Sequence, residues 1–312
     1  MLTLEKFEEA SEKVKEVVLP TNLIYSEYFS AQTGNKVYLK PENMQYTGAY
    51  KVRGAYYKIS TLSEEERKKG LITASAGNHA QGVAYAAKIY GVPATIVMPT
   101  TTPLIKVNRT KSYGAEVVLY GNVYDEACQY ALKLAKEKGL TFVHPFNDET
   151  VATGQGTIAM EIIKELPTVD YILVPIGGGG LISGVAFAIK QLKPSCKVIG
   201  VQAGVVASMY ASRQAGKVTT VPDAATLADG IHVLTTGSLT FEMCQKYVDE
   251  IVTVSEDEIA AAILALLEVQ KTVAEGAGAT PVAACMSGKV DTTKKTVCVV
   301  SGGNVDVTGL IV

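Results

Sequence analysis

Residues 171–192 read YILVPIGGGGLISGVAFAIKQL. The first six form an almost continuous apolar run, the pattern of a strand covered on both faces. The last twelve read as an apolar helix, and four consecutive glycines, Gly177, Gly178, Gly179 and Gly180, join the two. A buried strand that enters a helix through a glycine turn is a building unit of parallel α/β sheets. The glycines leave backbone N–H groups unshielded, and the helix adds the positive end of its dipole. Such a turn suits an anion, with phosphate the first candidate. A single glycine would serve if the turn only had to bring strand and helix close together. The spacing is neither GxxxxGK[ST] nor GxGxxG, which speaks against an ATP P-loop and against a dinucleotide site.

The alternation of strand and helix extends in both directions from this stretch. Strands are expected at 37–40, 71–74, 95–98, 117–119, 142–144, 198–201 and 297–300. Helices are expected at 78–90, 103–113, 122–138 and 259–270, with capping boxes at Ser63/Glu66 and Ser255/Glu258. At the N-terminus, Leu4, Phe7, Val14, Val17 and Val18 fit one face of a helix. The reading is an α/β fold with parallel sheets, whose chemistry should lie at the carboxyl ends of the strands. Any two domains must be closely joined, and insertion of one in the other is one arrangement open to them.

Two further segments carry candidate chemistry. Lys51 lies in KPENMQYTGAYKVRGAYY, flanked by Tyr50 and Val52 with glycines at 48 and 54. An isolated lysine is ordinarily a solvated charge, but a partly buried one has a lowered pKa and can act as a nucleophile. A phosphate loop together with a reactive lysine points to pyridoxal phosphate. The segment LITASAGNHAQGVAYAAKIYG is strand, turn and helix, and places Ser75, Ala76, Gly77, Asn78 and His79 at the strand's end. Their backbone N–H groups suit a carboxylate. Thr73 stands where a GxSxG elbow needs its first glycine, so a hydrolase nucleophile is not indicated. His79 reads as an orienting or core histidine rather than a catalytic base.

Composition narrows the class. Of 312 residues, 47% are hydrophobic and 19% charged, enough for a large core. With 29 basic and 31 acidic residues the net charge is −2, which gives no pull toward nucleic acid or an anionic membrane. Uncharged stretches are too short for a membrane span, and the first eighteen residues lack the apolar core of a secretory signal. The five cysteines are scattered without a CxxC, and the three histidines stand far apart. Reduced thiols in a cytoplasmic protein without a zinc site are expected.

Taken together, KxExxQxTGxxKxRGA (40–55), SAGNHAQGVA (75–84), HPFND (144–148), GQGT (154–157), VPIGGGGL (174–181), ADG (228–230), EGAGA (275–279) and SGGN (301–304) resemble, in order, the serine/threonine dehydratase family of fold-type II pyridoxal-phosphate enzymes. The resemblance runs from about residue 20 to the C-terminus. Within the family the pattern is most similar to the biodegradative threonine dehydratase (threonine ammonia-lyase) subgroup. It implies a tryptophan synthase β-like fold of two doubly wound α/β domains with mostly parallel sheets. Residues 1–46 and 152–312 would form a large cofactor-binding domain, with 47–151 a small domain inserted in it. No regulatory ACT domain is expected, and the family's C-terminal helix would be shortened or absent.

The resemblance also implies roles. Lys51 matches the lysine that binds the cofactor covalently and then serves as base at Cα, and Asn78 the residue that bonds the ring hydroxyl. Gly177 to Gly180 with Leu181 match the phosphate loop, and Ser301 the residue facing the pyridine nitrogen. Ser75, Ala76, Gly77, Asn78 and His79 match the loop that grips the substrate carboxylate, while Gly230 and Glu275 line the pocket. The implied reaction is loss of water and ammonia from L-threonine to give 2-oxobutanoate, with L-serine to pyruvate beside it, in amino-acid catabolism or isoleucine biosynthesis. A homodimer or homotetramer is implied.

Three departures bear on this. The usual TGSFK reads TGAYK here, with Ala49 and Tyr50. Ala76 stands where serine racemases carry the serine that works on the opposite face of Cα. Gln202, Ala203 and Ser208 stand where many relatives have the Glu–Pro pair and Asp of a divalent-cation site, so no metal is expected. The alternatives are a serine racemase, a β-replacement enzyme such as a cysteine synthase, and a noncatalytic phosphate- or nucleotide-binding protein. Ala76 opposes the first, SAGNH in place of a TSGNT-type loop the second, and Lys51 in its motif the third.

Overall fold

The computed structural model describes residues 1–291 and 293–307. The expectation of a shortened or absent C-terminal helix falls on 308–312, outside the described residues. Ten strands are described. They are β1 Ile24–Tyr25, β2 Lys36–Pro41, β3 Leu71–Ala74, β4 Ala94–Met98, β5 Glu116–Leu119, β6 Thr141–Phe142, β7 Tyr171–Pro175, β8 Lys197–Ala203, β9 Glu250–Val254 and β10 Lys295–Val300. They form a six-stranded sheet ordered β1-β2-β10-β7-β8-β9 and a four-stranded sheet ordered β5-β4-β3-β6. Only β1 and β2 pair antiparallel; the other described pairs are parallel.

Both sheets are covered on both faces, which is why their strands read as apolar runs. Successive residues of a strand point to opposite faces. Thus Ile172, Val174, Val297 and Val299 enter one core with Phe7, Ile158 and Val185. Leu173, Cys298 and Val300 enter another with Leu39, Val201 and Val282. The smaller sheet divides likewise. Leu71 and Ile96 pack with Val52, Ile59 and Val83, and Ile72, Ala74 and Val97 with Ala127 and Ala131. Both expected capping boxes are present, at Ser63 and Ser255.

Sheet order sets where the loops meet. β10 and β7 are parallel neighbours, so Ser301 and Gly177–Gly180 leave the larger sheet side by side at its carboxyl end. In the smaller sheet β3 lies between β4 and β6, so the 75–79 and 144–148 segments leave adjacent strands at one end. These crevices are where parallel sheets bind ligands.

Candidate active site

Lys51 caps the helix Val52–Ser60 and is anchored by the loop before it. Ala49 pairs with Gly302 in an isolated antiparallel bridge. The N–H of Tyr50 donates to the Ser301 carbonyl at 3.2 Å, and that of Gly303 to the Gly48 carbonyl at 2.8 Å. The chain after β10 thus holds the lysine segment beside Ser301. Lys51 Nζ donates to the Pro145 carbonyl at 2.9 Å. Burial of its side chain lowers the Lys51 pKa to about 8, because the charged form loses its solvation.

Lys51 shares a cavity with Tyr50, Asn78, Leu181, Gly230, Glu275 and Ser301, brought together from across the sequence. Asn78 Nδ2 donates to Glu275 Oε1 at 2.7 Å, and Asn78 Oδ1 accepts from Asn304 Nδ2 at 2.8 Å. Asn304 also donates its backbone N–H to Glu275 Oε2 at 2.9 Å and its amide to the Thr47 carbonyl at 2.8 Å. This chain fixes which end of the Asn78 amide faces which way. Burial raises the Glu275 pKa to about 7, against the opposing effect of the Asn304 and Asn78 donors.

The glycine loop opens the helix Gly180–Leu192. Gly179 caps it in the left-handed region, φ +99°, without a side-chain cap, so the first N–H groups of the helix have no intrahelical partner. A Cβ on Gly178 would lie 2.1 Å from the Phe146 ring, and one on Gly179 would lie 2.8 Å from Met209 Cε. Close packing therefore requires these glycines whether or not an anion is bound.

The 75–79 turn starts the helix Asn78–Tyr90. Ser75 Oγ accepts from the N–H groups of Gly77 and Ala80, both at 3.2 Å. His79 turns its side chain into the protein, where Nε2 lies 2.9 Å from the Val143 carbonyl. Burial, then the nearby Lys51 charge, lowers its pKa to about 3, so the ring is neutral.

The sequence reading missed several residues here. Pro145 holds Lys51 through a carbonyl, which no side chain advertises. His144 Nδ1 accepts from the N–H groups of Phe146 and Asn147 at 3.1 and 2.8 Å and so shapes that turn. Pro175, Ile231 and Ala277 complete the cavity. At the positions considered for a cation, Gln202 bonds the Ile176 carbonyl and the Tyr210 N–H, and Ser208 bonds the Val233 carbonyl. Among the described residues no three His, Cys, Asp or Glu side chains come together as a metal site.

The donor set fits pyridoxal phosphate: a desolvated amine, an oriented amide, a neutral hydroxyl and an uncapped glycine-rich helix start. The model of the family described as "Pyridoxal-phosphate dependent enzyme" matches residues 14–302. The chain belongs to this family. It is accordingly a pyridoxal-phosphate-dependent enzyme with the family's α/β fold. It is 56% identical over 308 residues to the L-threonine ammonia-lyase of Thermotoga maritima, covering 98% of this chain and 77% of that one. The processed form of threonine deaminase isoform 2 from Solanum lycopersicum superposes with a TM-score of 0.93 at 40% identity, covering 98% of this chain and 91% of that one. Maize serine racemase superposes with a TM-score of 0.95 at 34% identity, with coverages of 98% and 95%.

Proposed function

We propose that this family member is a threonine ammonia-lyase, converting L-threonine to 2-oxobutanoate and ammonia, with L-serine to pyruvate as a second activity. The observation that carries this reading is the desolvated Lys51 amine, held at the meeting point of loops from both sheets, beside Ser301 and Asn78. The 56% identity to an L-threonine ammonia-lyase supports the choice of substrate.

Bound pyridoxal phosphate supplies the electron sink that lets the Cα proton leave. Lys51 would take that proton as a neutral amine, its nitrogen positioned by the Pro145 carbonyl. The N–H groups of Gly177 to Gly180, with Leu181, would bind the phosphate. Ser301 would face the pyridine nitrogen, where a hydroxyl cannot balance a full positive charge as a carboxylate would. Asn78 gives one amide hydrogen to Glu275, which leaves the other for the ring hydroxyl. The backbone of Ser75, Ala76, Gly77, Asn78 and His79 would hold the substrate carboxylate. Water lost from Cβ and water regained on release of ammonia balance, leaving the 2-oxo acid.

The same reading makes the protein a cytoplasmic homodimer or homotetramer that takes a small amino acid and no nucleic acid. Its product would enter amino-acid catabolism or isoleucine biosynthesis. Residues 47–151 would form a smaller domain inserted between 1–46 and 152–312; what supports this is that all four strands of the smaller sheet fall inside 47–151. The likeness to a serine racemase favours racemisation as a second reading. Ala76 weighs against it, having no proton to give.

The test is to purify the protein, assay 2-oxo acid from L-threonine, and map the cofactor after borohydride reduction. The expected outcome is turnover, with label on Lys51 and nearly complete loss of both in Lys51→Ala. No 2-oxo acid from L-threonine, or label on another lysine, would overturn the reading.

A further inference from the structure

Lys40, Glu42 and Arg53 belong to the lysine motif, yet none of them lines the cavity around Lys51. Arg53 lies two residues beyond Lys51, fully buried in the first turn of the helix Val52–Ser60. All its donors are used. Nε donates to Glu42 Oε1 at 2.6 Å, and Nη2 to Glu42 Oε2 and Glu161 Oε1, both at 3.1 Å. Nη1 donates to Thr157 Oγ1 at 3.0 Å and also to Glu161 Oε2. Lys40 Nζ completes the cluster, donating to Glu161 Oε1 at 2.8 Å and to the Thr21 carbonyl at 2.7 Å.

Two cations thus face two carboxylates, Glu42 fully buried and Glu161 half-buried. Such clusters are weak sources of stability, because desolvation offsets the attraction and apolar replacements often serve as well. What a bidentate arginine adds is direction. Direction is needed here because the helix rests on the helix Glu149–Glu165 through glycines. A Cβ on Gly154 would lie 2.6 Å from Gly54 Cα and 2.7 Å from the Arg53 carbonyl. Backbones in contact do not fix their own register; beside the Arg53 cluster, the Gly54 N–H donates to Gln155 Oε1 at 2.9 Å and Lys58 pairs with Asp148, the cap of the second helix, at 2.7 Å.

We propose that Arg53, gripped by Glu42 and Glu161, is a positioning residue for Lys51. It sets the helix Val52–Ser60 along its axis, so that the lysine amine stays in the cavity. The inference rests on the role given to Lys51 above. A misplacement of about 1 Å in a reacting group can cost roughly 100-fold in rate.

The test compares the holoenzyme with Arg53→Lys, which keeps the charge but loses the fork, and with Glu161→Gln, which removes one charge at a half-buried position. For each, the cofactor is removed with hydroxylamine. The rate at which the covalently bound cofactor's visible band returns on re-addition is followed, along with kcat, KM and Tm. The expected result is a loss of about tenfold in both the rate of band recovery and kcat, with KM nearly unchanged and well below the melting transition. A change of less than about threefold in either rate, whatever happens to Tm, overturns the proposal. If Arg53→Lys does not fold, Glu161→Gln decides by the same limits. Borohydride label on another lysine in the parent protein would remove the Lys51 assignment and this inference together, whereas label on Lys51 with unaffected variants would remove this inference alone.

Discussion

Position 76 bears directly on the choice between elimination and racemisation. Ala76 follows β3 and is half-buried against the smaller-sheet core, with no hydrogen to transfer. Racemisation needs a proton donor on the face of Cα opposite Lys51, and a mobile water is poorly placed beside a fixed hydroxyl. Ala76→Ser should raise D-serine formation from L-serine at least about tenfold while 2-oxo acid production continues. Chiral chromatography of the reaction over time checks this, and fast interconversion of L- and D-serine by the parent protein would reverse the reading. Glu275 supplies a pH-dependent case. Its carboxyl titrates near 7 in the fold against 4.5 ordinarily, so the fold binds that proton more tightly than the unfolded chain. The stability it contributes is fully present below about pH 4.5 and is lost as pH rises through 7. Glu275→Gln should therefore gain on the cofactor-free parent between pH 5 and pH 8, by up to about 3 kcal/mol. Melting curves of both at the two pH values measure it, and a constant Tm difference would refute it. Three residues that the sequence and its family resemblance singled out by their side chains, Lys51, Asn78 and Ser301, line one cavity. Pro145 was not legible, since every residue carries a carbonyl.

At the scale of elements, the glycine loop shows why identical residues are not interchangeable. Gly178 faces the Phe146 ring and Gly179 needs a positive φ, whereas a Cβ on Gly77 would meet nothing within 4 Å. Gly178→Ala should displace Phe146 from its place beside Pro145 and weaken cofactor retention by about tenfold or more. Gly77→Ala should retain cofactor, with stability changed by about 0.5 kcal/mol at most. Cofactor content after dialysis distinguishes the two, and equal losses would count against this account of the loop. Elements announced by caps and alternation were legible: Leu71–Ala74, Asn78–Tyr90 and Tyr171–Pro175 fall where the sequence places them. The helix Glu149–Glu165 was not, because it is buried around most of its circumference and Gly154 and Gly156 interrupt any amphipathic pattern. The helix Gly276–Met286 was hidden in the same way, opening on glycines, containing Pro281 and showing no polar face. Strand order was also outside reach: β10, near the end of the chain, lies between β2 and β7, and no local pattern encodes that pairing.

For the whole molecule, the two sheets matter through what joins them. Lys51 and Asn78 stand at the starts of helices packed on the smaller sheet, while Ser301 and the glycine loop follow strands of the larger one. The two sides are joined by the Ala49–Gly302 bridge, by the hydrogen bonds of Asn304 to Asn78 and Thr47, by the Asn78–Glu275 bond, by the Lys106–Asp229 ion pair at 3.8 Å, by the Arg53 cluster and by apolar contacts such as those of Ala10 and Val14 with Tyr57. Lys106 and Asp229 are exposed enough that their pair contributes little. A cofactor gripped from both sides should then act as a further link between them. Ligand at 100 times its Kd stabilises a fold by about 2.7 kcal/mol. For a chain of this size that corresponds to a Tm shift of roughly 5 °C. Stripping the cofactor with hydroxylamine should lower Tm by about that amount, and re-addition should restore it. Lys51→Ala should show a smaller recovery, because the phosphate loop and Asn78 still bind while the covalent tie is gone. If the stripped and loaded proteins melt together, the cofactor does not bridge the two sheets, and the proposed grip on it by the glycine loop and Ser301 from one side and by Lys51 and Asn78 from the other falls with it.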